Sequence, residues 1–364
     1  MSAFFARAAR GDRPAQAGRP GARGEQDSAA GCSWSMSLFL SPKGRTRRLQ
    51  QRALSRLCSP CSRPVESDFV TEGKNKAAIL TEISLILAAI FWGTNYAATK
   101  FAALSIPPLS IVALRFVVGG LLMYAILRIL EPGSRPGRKD LLRMAGLGCF
   151  GVVVAQTSFT FGVSMTTAAN TGLIFATAPV WGLLLGLLLG LERPTWGGTV
   201  GVALSIVGVA IVFWEGLTGA GGADLGGDLL VLLAALGVGS YTVLSMPLLE
   251  RHSPLAVATY PIVFGGPLVL VLSIPFFTGL EWERVGVGAW AAVGFSIIFA
   301  TAFSFSAWQT GISRIGANRV LVYQYLITIT GVASGLIFFG EVLSIEKIVG
   351  GAIILMGVYL ARRR

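Results

Sequence analysis

The chain has 364 residues, of which 53% are hydrophobic and only 13% are charged, and its mean hydropathy is +0.68. Soluble proteins carry about 25% charged residues, so this composition excludes a soluble enzyme, a disordered protein and a fibrous protein. The net charge of +12 comes mainly from residues 1–76, so it does not indicate a nucleic-acid partner. The sequence predicts a polytopic membrane protein that is surrounded by lipid bilayer.

Residues 1–76 are predicted to form a disordered basic tail. They are rich in Arg, Gly, Ala, Pro and Ser and show no sustained apolar period, so they bury too little surface to offset chain entropy. Three interpretations stay open: a regulatory tail, an organelle transit peptide, or upstream sequence added by a misplaced start codon, with the true start near Val70. Transit peptides are poor in acidic residues, and this tail has six. We therefore favour the misplaced start.

Ten apolar runs follow from residue 77. Each has about 18–25 residues, which is long enough to cross a hydrocarbon core of about 30 Å as a helix. Short breaks that contain proline, glycine or charged residues separate them. The sequence therefore predicts an all-α integral membrane protein with ten transmembrane helices. The runs cover residues 78–103, 108–129, 141–163, 167–190, 195–214, 228–249, 255–278, 287–312, 317–339 and 344–361.

The distribution of basic residues predicts the orientation of the chain. If the N-terminus is cytoplasmic, the inner loops and termini collect fourteen Lys and Arg residues and the outer segments collect three. Basic residues near the ends of spans favour the cytoplasmic side. We expect a multi-pass protein of the plasma (inner) membrane, of bacterial type, with both termini in the cytoplasm.

The two halves of the membrane region resemble each other, with a first unit at 77–214 and a second at 226–361. Leu191-Glu-Arg-Pro-Thr195 matches Gly340-Glu-Val-Leu-Ser344 at an offset of 149 residues. Each unit has five spans, an odd number, so the second unit must be inverted relative to the first. Inverted repeats are typical of secondary transporters, whose sites lie near the midplane between the repeats. The same offset aligns Gly201 with Gly350 and Gly208 with Gly357.

Several motifs resemble those of a known family. Phe91-Trp-Gly-Thr-Asn95 with Ala98-Thr-Lys100 resembles the first-span signature of EamA-type members of the drug/metabolite transporter superfamily. The second-span run Pro107–Phe116 and the pair Ala178-Pro179 are similar to it as well. The resemblance covers about residues 77–361. It implies ten helices around a central cavity and the transport of small metabolites, often as efflux.

The second unit departs from this pattern. Val238-Gly-Ser-Tyr241 replaces the Trp-Gly-Thr-Asn run, and Pro261 stands where the repeat would place Arg115. Arg115 is the only full charge well inside a span. A charge within the membrane is costly and is a functional candidate by default, but a long arginine stem can also reach the headgroups or lock two helices. Both interpretations of Arg115 stay open.

Polar and aromatic side chains recur on single faces of several predicted helices. In lipid such faces turn inward, either to pack against other helices or to line a wet cavity. Aromatic walls with a few amides suit amphipathic metabolites such as amino acids. The candidate substrate-binding residues are Trp92, Asn95, Thr99, Arg115, Gln156, Thr160, Tyr241, Trp308, Tyr323 and Gln324.

These features predict a secondary transporter that exports small organic metabolites, such as amino acids, by alternating access. One alternative is a membrane sensor or scaffold, for which only the N-terminal tail could serve as an output domain. Another is an integral-membrane enzyme, which would need clustered catalytic side chains, whereas the chain has a single histidine. We expect no catalytic residue, cofactor or metal. Glycines spaced four apart, such as Gly182 and Gly186, indicate close helix packing, with homodimerisation as the alternative.

Overall fold

The computed structural model describes residues 65–190, 195–218, 223–279 and 281–362, and within these ranges all regular structure is helical. Two compact units are distinguished by their internal contacts. The larger begins at Ala78, and its described residues extend to Arg362. Of the smaller, Asp12–Ala77, only the residues from Val65 onward are described.

Ten long helices are present among the described residues, and short connections join them. Eight of them, α1 to α8, contain segments that are long and apolar enough to cross a membrane. The ninth is shorter, at 17 residues, and the tenth carries charges near both ends. The prediction of an all-α, multi-pass membrane protein is confirmed. The helices are α1 Val65–Ala103, α2 Pro108–Leu130, α3 Arg138–Met165, α4 Ala168–Leu188, α5 Trp196–Thr218, α6 Leu225–Leu249, α7 Pro254–Thr278, α8 Val287–Ile315, α9 Tyr323–Phe339 and α10 Ile345–Arg362.

Helix α1 begins earlier than the sequence indicates. The predicted tail ends at residue 76, whereas α1 starts at Val65. A helix that is already nucleated extends at little further cost, because each added residue forms one more hydrogen bond. The apolar span nucleates α1, and the polar residues before it continue the same helix. Residues 1–64 lie outside the described part of the chain, so the predicted tail and its alternatives stay predictions.

Helices α3 and α8 each contain a π-helical stretch. The stretch in α3 is Cys149–Gln156 and the stretch in α8 is Ser296–Phe303. They begin 147 residues apart, which is close to the 149-residue offset of the predicted repeat. A π-helical turn is wider than an α-helical turn, it displaces carbonyl groups from the regular ladder, and it is frequent at functional sites.

Helix α4 is interrupted near its middle, at Ala176 and Thr177, between the segments Ala168–Phe175 and Ala178–Leu188. Pro179 lies in the first turn of the second segment. Proline fits there because its missing N–H is not needed in a first turn, whereas it would break the ladder further along. The interruption therefore coincides with a proline, although α7 continues without a break through Pro261, Pro267 and Pro275.

Glycines let α5 and α10 approach each other closely. A Cβ atom on Gly201 would lie 2.4 Å from the carbonyl oxygen of Gly357, and one on Gly208 would lie 2.7 Å from that of Gly350. No larger residue fits at such distances. The glycine spacing on α5 thus serves packing within the chain.

Helices α2 and α7 cross in a similar way. A Cβ on Gly120 would lie 3.1 Å from the side chain of Ile262, and one on Gly266 would lie 2.9 Å from the carbonyl oxygen of Phe116. Phe116 and Ile262 are both fully buried and belong to one hydrophobic cluster. This crossing brings the Arg115 region of α2 against the middle of the bundle.

Polar contacts join the helix ends at what we call the Glu131 end, where α2 finishes and α7 begins. Ser253 caps α7 by accepting a hydrogen bond from the amide of Ala256, and its hydroxyl donates to the carboxylate of Glu131. Burial raises the pKa of Glu131, and the bond from Ser253 partly opposes that rise. Asp140 at the start of α3 contacts the His252 ring at 2.9 Å.

The opposite end of the bundle, which we call the Glu341 end, holds a second polar cluster. Lys100 at the end of α1 forms an ion pair with Glu341 at 2.9 Å, and Glu341 lies in the connection between α9 and α10. The same carboxylate accepts hydrogen bonds from the backbone amides of Ala168 and Ala169, at the start of α4. Three separate parts of the chain are thereby joined through one side chain.

Candidate functional site: a central cavity

A cavity lies at the centre of the bundle, between the two ends. The empty space between its lining side chains, with the open mouth included, amounts to about 820 Å³. Eight helices, α1 to α4 and α6 to α9, contribute to its wall, so both halves of the chain take part. The lining residues are Trp92, Asn95, Tyr96, Arg115, Gly151, Val152, Gln156, Phe159, Phe175, Val238, Tyr241, Thr242, Pro261, Ile262, Phe305, Trp308, Gln309, Gln324 and Ile327.

Arg115 is the charged residue of this wall. Its side chain is buried, with 2% of the residue surface exposed. Its Nε donates to the Thr301 hydroxyl at 2.8 Å, and Nη1 donates to Oε1 of Gln156 at 3.4 Å. Gln156 ends the π-helical stretch of α3 and Thr301 lies within that of α8. The guanidinium is therefore held between the two π-helical stretches and does not extend to the headgroups.

No acidic side chain pairs with Arg115 among the residues that the structure describes. Its guanidinium carbon lies 4.9 Å from the ring centroid of Phe116, within the distance of a cation–π contact. Hydrogen bonds and an aromatic face offset part of the cost of burial, but they do not neutralise the charge. The cavity wall therefore carries a net positive charge at Arg115.

The π-helical stretch of α8 also orients two residues of α1. The indole Nε1 of Trp92 donates to the carbonyl oxygen of Ala300 at 2.7 Å, and the hydroxyl of Ser296 donates to Oδ1 of Asn95 at 2.5 Å. A π-helical turn makes backbone carbonyls available to such side chains. These bonds fix Trp92 and Asn95 against the cavity.

Aromatic rings form two groups around the cavity. Trp92 lies 5.0 Å from Trp308 and 5.5 Å from Phe305, measured between ring centroids. A second group joins Tyr96, Phe159 and Phe175, with centroids 5.4 to 6.1 Å apart. Tilted and edge-to-face arrangements at these distances are favourable. The walls are therefore apolar and rigid, apart from a few polar groups.

Seven of the ten predicted site residues line the cavity, and three do not. Thr99 is buried with a hydroxyl that has no hydrogen-bond partner among the described residues. Thr160 donates to the carbonyl oxygen of Gln156, one turn earlier in its own helix. Tyr323 is half-buried at the start of α9. The lining residues from the prediction are Trp92, Asn95, Arg115, Gln156, Tyr241, Trp308 and Gln324.

Gln309 is a polar lining residue of the cavity that was not among the predicted site residues. It is 1% exposed and lines the cavity beside Trp308. The sequence could have indicated this residue, because an amide inside an apolar span needs a hydrogen-bond partner and Gln309 follows the polar residue Thr301 by eight positions. The other missed lining residues are mostly apolar, and no sequence pattern separates them from ordinary core residues.

The sequence of this chain matches the model of the EamA-like transporter family at residues 79–214 and again at 225–363. These two segments cover most of the chain. It belongs to the EamA-like transporter family. The resemblance inferred from its motifs is confirmed, and with it the prediction of a membrane transport protein.

Similar EamA-like relatives come from archaea and bacteria. An uncharacterized transporter of Archaeoglobus fulgidus is 26% identical over 286 residues, which cover 78% of this chain and 98% of the relative. A probable terminal-alkyne amino-acid exporter of Streptantibioticus cattleyicolor is 27% identical over 290 residues, covering 77% and 93% of the two chains. Both are named as transporters, which points away from an enzymatic function.

A solved crystal structure shares the fold of this EamA-like chain. It superimposes with a TM-score of 0.55 at 21% identity and covers 77% of this chain and 96% of the other. At this level of identity the likeness concerns the fold alone.

Proposed function

We propose that this EamA-like protein is a secondary transporter that exports small organic carboxylates, such as amino acids, by alternating access. The observation that carries the proposal is Arg115, a buried cation on the wall of the central cavity without an acidic partner among the described residues. A solute that brings its own carboxylate would complete this ion pair.

The setting of Arg115 favours a carboxylate over a neutral ligand. A guanidinium has five N–H donors in a planar fork that matches a carboxylate in two parallel hydrogen bonds. The bonds to Thr301 and Gln156 use two of these donors and fix the plane of the group. In a cavity with apolar walls, the attraction between opposite charges is much stronger than in water. A substrate carboxylate would therefore bind with both charge and orientation matched.

The rest of the wall suits an amphipathic solute of modest size. Trp92, Phe305 and Trp308 provide apolar faces, and Gln324 offers an amide whose Nε2 bonds only weakly, at 3.4 Å, to the carbonyl oxygen of Phe175. The similar protein from Streptantibioticus cattleyicolor is named as a probable exporter of an amino acid. These two points support amino acids as the substrate class and export as the direction.

Alternating access is supported by reciprocal contacts between the two halves. In space, Gly201 of α5 contacts Gly357 of α10, and Gly208 of α5 contacts Gly350 of α10. In the sequence repeat the partners are exchanged, because Gly201 corresponds to Gly350 and Gly208 corresponds to Gly357. Such exchanged contacts are what a two-fold axis produces.

Helices α2 and α7 show the same exchange of contacts between corresponding residues, at an offset of 146 residues. Gly120 meets Ile262, and Gly266 meets Phe116, so each contact is the exchanged copy of the other. Two similar halves related by an axis in the membrane plane allow two states of comparable energy, each open to one side. The excess of basic residues at the Glu131 end supports placing that end in the cytoplasm.

The test is transport by Arg115 variants in proteoliposomes. Counterflow of radiolabelled amino acids measures carrier-mediated exchange without knowledge of the coupling ion or of orientation. We expect Arg115→Gln to lower exchange of carboxylate-bearing solutes at least about tenfold, because one charge-assisted hydrogen bond to a buried carboxylate contributes about 1.5–3 kcal/mol. Arg115→Lys keeps the charge but loses the planar fork, so we expect partial rescue.

Arg128→Gln on the same helix is the matched control, because Arg128 lies outside the cavity wall beside Tyr124. It should leave exchange close to the wild-type rate. Equal rates for Arg115→Gln and wild type, with both proteins folded in the membrane, would remove Arg115 from the binding site and refute the carboxylate proposal.

A further inference from the structure

A second polar position lies in the cavity wall, at Gln309 of α8. The residue is 1% exposed, and neither Oε1 nor Nε2 has a hydrogen-bond partner within the described part of the chain. The Tyr241 hydroxyl lies near this amide, but its own bond to the carbonyl oxygen of Val257 is long, at 3.5 Å. A donor and an acceptor are therefore both available at one point of the cavity.

An amide with no partner is unusual in a protein interior. Buried polar side chains are hydrogen-bonded in the large majority of cases, and each exception calls for a reason. Inside a membrane protein the penalty is not relieved by bulk water. Gln309 lines the central cavity, so a substrate group is a partner that this position can acquire.

Gln309 and Arg115 lie at different levels along the cavity wall. Thr301, which holds the Arg115 guanidinium, precedes Gln309 by eight residues, or about two helical turns along α8. Tyr241 packs against Gly151, five residues from Gln156 along α3. The two polar positions are thus separated along both helices. A solute that reaches both positions is therefore extended along the cavity.

We propose that Gln309 and Tyr241 form a second subsite, which binds a neutral hydrogen-bonding group at the end of the substrate far from its carboxylate. The substrates selected in this way are extended acids that end in an amide or hydroxyl. Apolar acids of the same shape leave the Gln309 amide without a partner and are disfavoured. This inference rests on the proposed function, since Arg115 is taken to bind the carboxylate.

Selectivity of this kind arises from the cost of leaving a polar group unpaired. A site built to hydrogen-bond a substrate group rejects the analogue that lacks it far more strongly than an apolar site rejects a small change in size. A ratio of rates between two isosteric solutes therefore reports directly on the Gln309 subsite.

The experiment compares L-glutamine with its apolar isostere L-homoleucine, as radiolabelled probes in counterflow with the full-length protein in proteoliposomes. We expect wild type to exchange glutamine at least about tenfold faster than homoleucine. Gln309→Leu should bring the ratio close to one, mainly by slowing glutamine. Tyr241→Phe should lower the ratio less. Thr310→Val is the matched control, because its hydroxyl bonds to the Ser306 carbonyl oxygen and Thr310 does not line the cavity.

The outcomes separate the two proposals. A wild-type ratio near one, an unchanged ratio in Gln309→Leu, or no exchange of glutamine by wild type each overturns the second subsite. The proposed function fails in a different way, when Arg115→Gln exchanges both probes as fast as wild type. Size-exclusion profiles and melting temperatures establish that each variant is folded. If Gln309→Leu does not fold, the ratio of glutamine to homoleucine exchange in the milder variant Tyr241→Phe tests the subsite instead.

Discussion

Glu341 makes a sharp prediction about stability because one carboxylate joins three parts of the chain. It receives hydrogen bonds from Lys100 at 2.9 Å and from the amides of Ala168 and Ala169 at 2.8 and 2.9 Å. Both amides belong to the first turn of α4, where N–H groups have no partner within the helix and the helix dipole favours a negative charge. Glu341→Ala removes all three bonds together.

The size of the effect follows from burial. Glu341 has 7% of its side chain exposed and Lys100 has 19%. Removing one partner of a buried ion pair costs about 3–5 kcal/mol. Lys100 keeps its bond to the carbonyl oxygen of Thr166 at 2.9 Å, so we expect the lower part of this range, about 3 kcal/mol. Glu341→Gln retains one acceptor oxygen, and we expect a loss of about 1–2 kcal/mol.

The assay is unfolding of the purified protein in mixed detergent micelles, followed by tryptophan fluorescence, with the free energy of unfolding as the readout. Glu346→Ala is the matched control, because Glu346 is an exposed acidic residue in the first turn of α10. Its loss should cost less than about 0.5 kcal/mol. The double variant Lys100→Met with Glu341→Gln measures the coupling between the two charges.

Two results would refute this reasoning. Equal losses for Glu341→Ala and Glu346→Ala would mean that the buried contacts do not stabilise the fold. Losses for Lys100→Met and Glu341→Gln that simply add, within about 0.5 kcal/mol, would mean that the ion pair contributes no coupling energy.

Two further predictions concern packing and orientation. Gly201→Leu should destabilise the protein by about 3 kcal/mol or more, because a Cβ there would lie 2.3 Å from the amide nitrogen of Ala361. Gly133→Ala is the control and should be neutral, because a Cβ at Gly133 meets nothing within 4 Å. Equal melting temperatures for the two variants would contradict the close crossing of α5 and α10. Reporter fusions after Gly133 should report the cytoplasm and fusions after Gly286 the outer side, and the reverse pattern would overturn the proposed orientation.

Much of the fold could be predicted from the sequence because the bilayer restricts the choices. Backbone groups in hydrocarbon must bond within their own segment, so each apolar run of about 20 residues forms a helix. Proline and glycine then set the breaks, as at Pro179 in α4. The early start of α1 at Val65 escaped prediction, because helix extension beyond a span depends on weak propensities and leaves no hydropathy signal.

The candidate site could be predicted only in part. Helical spacing identifies which face carries polar groups, and it correctly grouped Trp92 with Asn95. Thr99 lies one turn beyond the lining residue Asn95 on α1 and does not line the cavity. Thr160 follows the lining residue Phe159, but its hydroxyl donates to the Gln156 carbonyl oxygen of its own helix. Periodicity gives the direction of a side chain around the helix axis, whereas the height at which neighbouring helices separate depends on their packing.

The sequence by itself determined the membrane class, the number of helices and the singular position of Arg115 as a charge within a span. It could not choose among an arginine that reaches the headgroups, one that locks helices together and one that faces a cavity, because all three have the same spacing. The tertiary structure excludes the first, because the guanidinium bonds to Thr301 and Gln156 inside the bundle. Substrate binding by Arg115 stays a prediction. Close glycine crossings such as Gly120 with Ile262 bring α2 into the centre, and two π-helical stretches present Gln156 and Thr301 to the guanidinium. These partners come from helices far apart in sequence, and only the packing of the whole bundle brings them within hydrogen-bond distance.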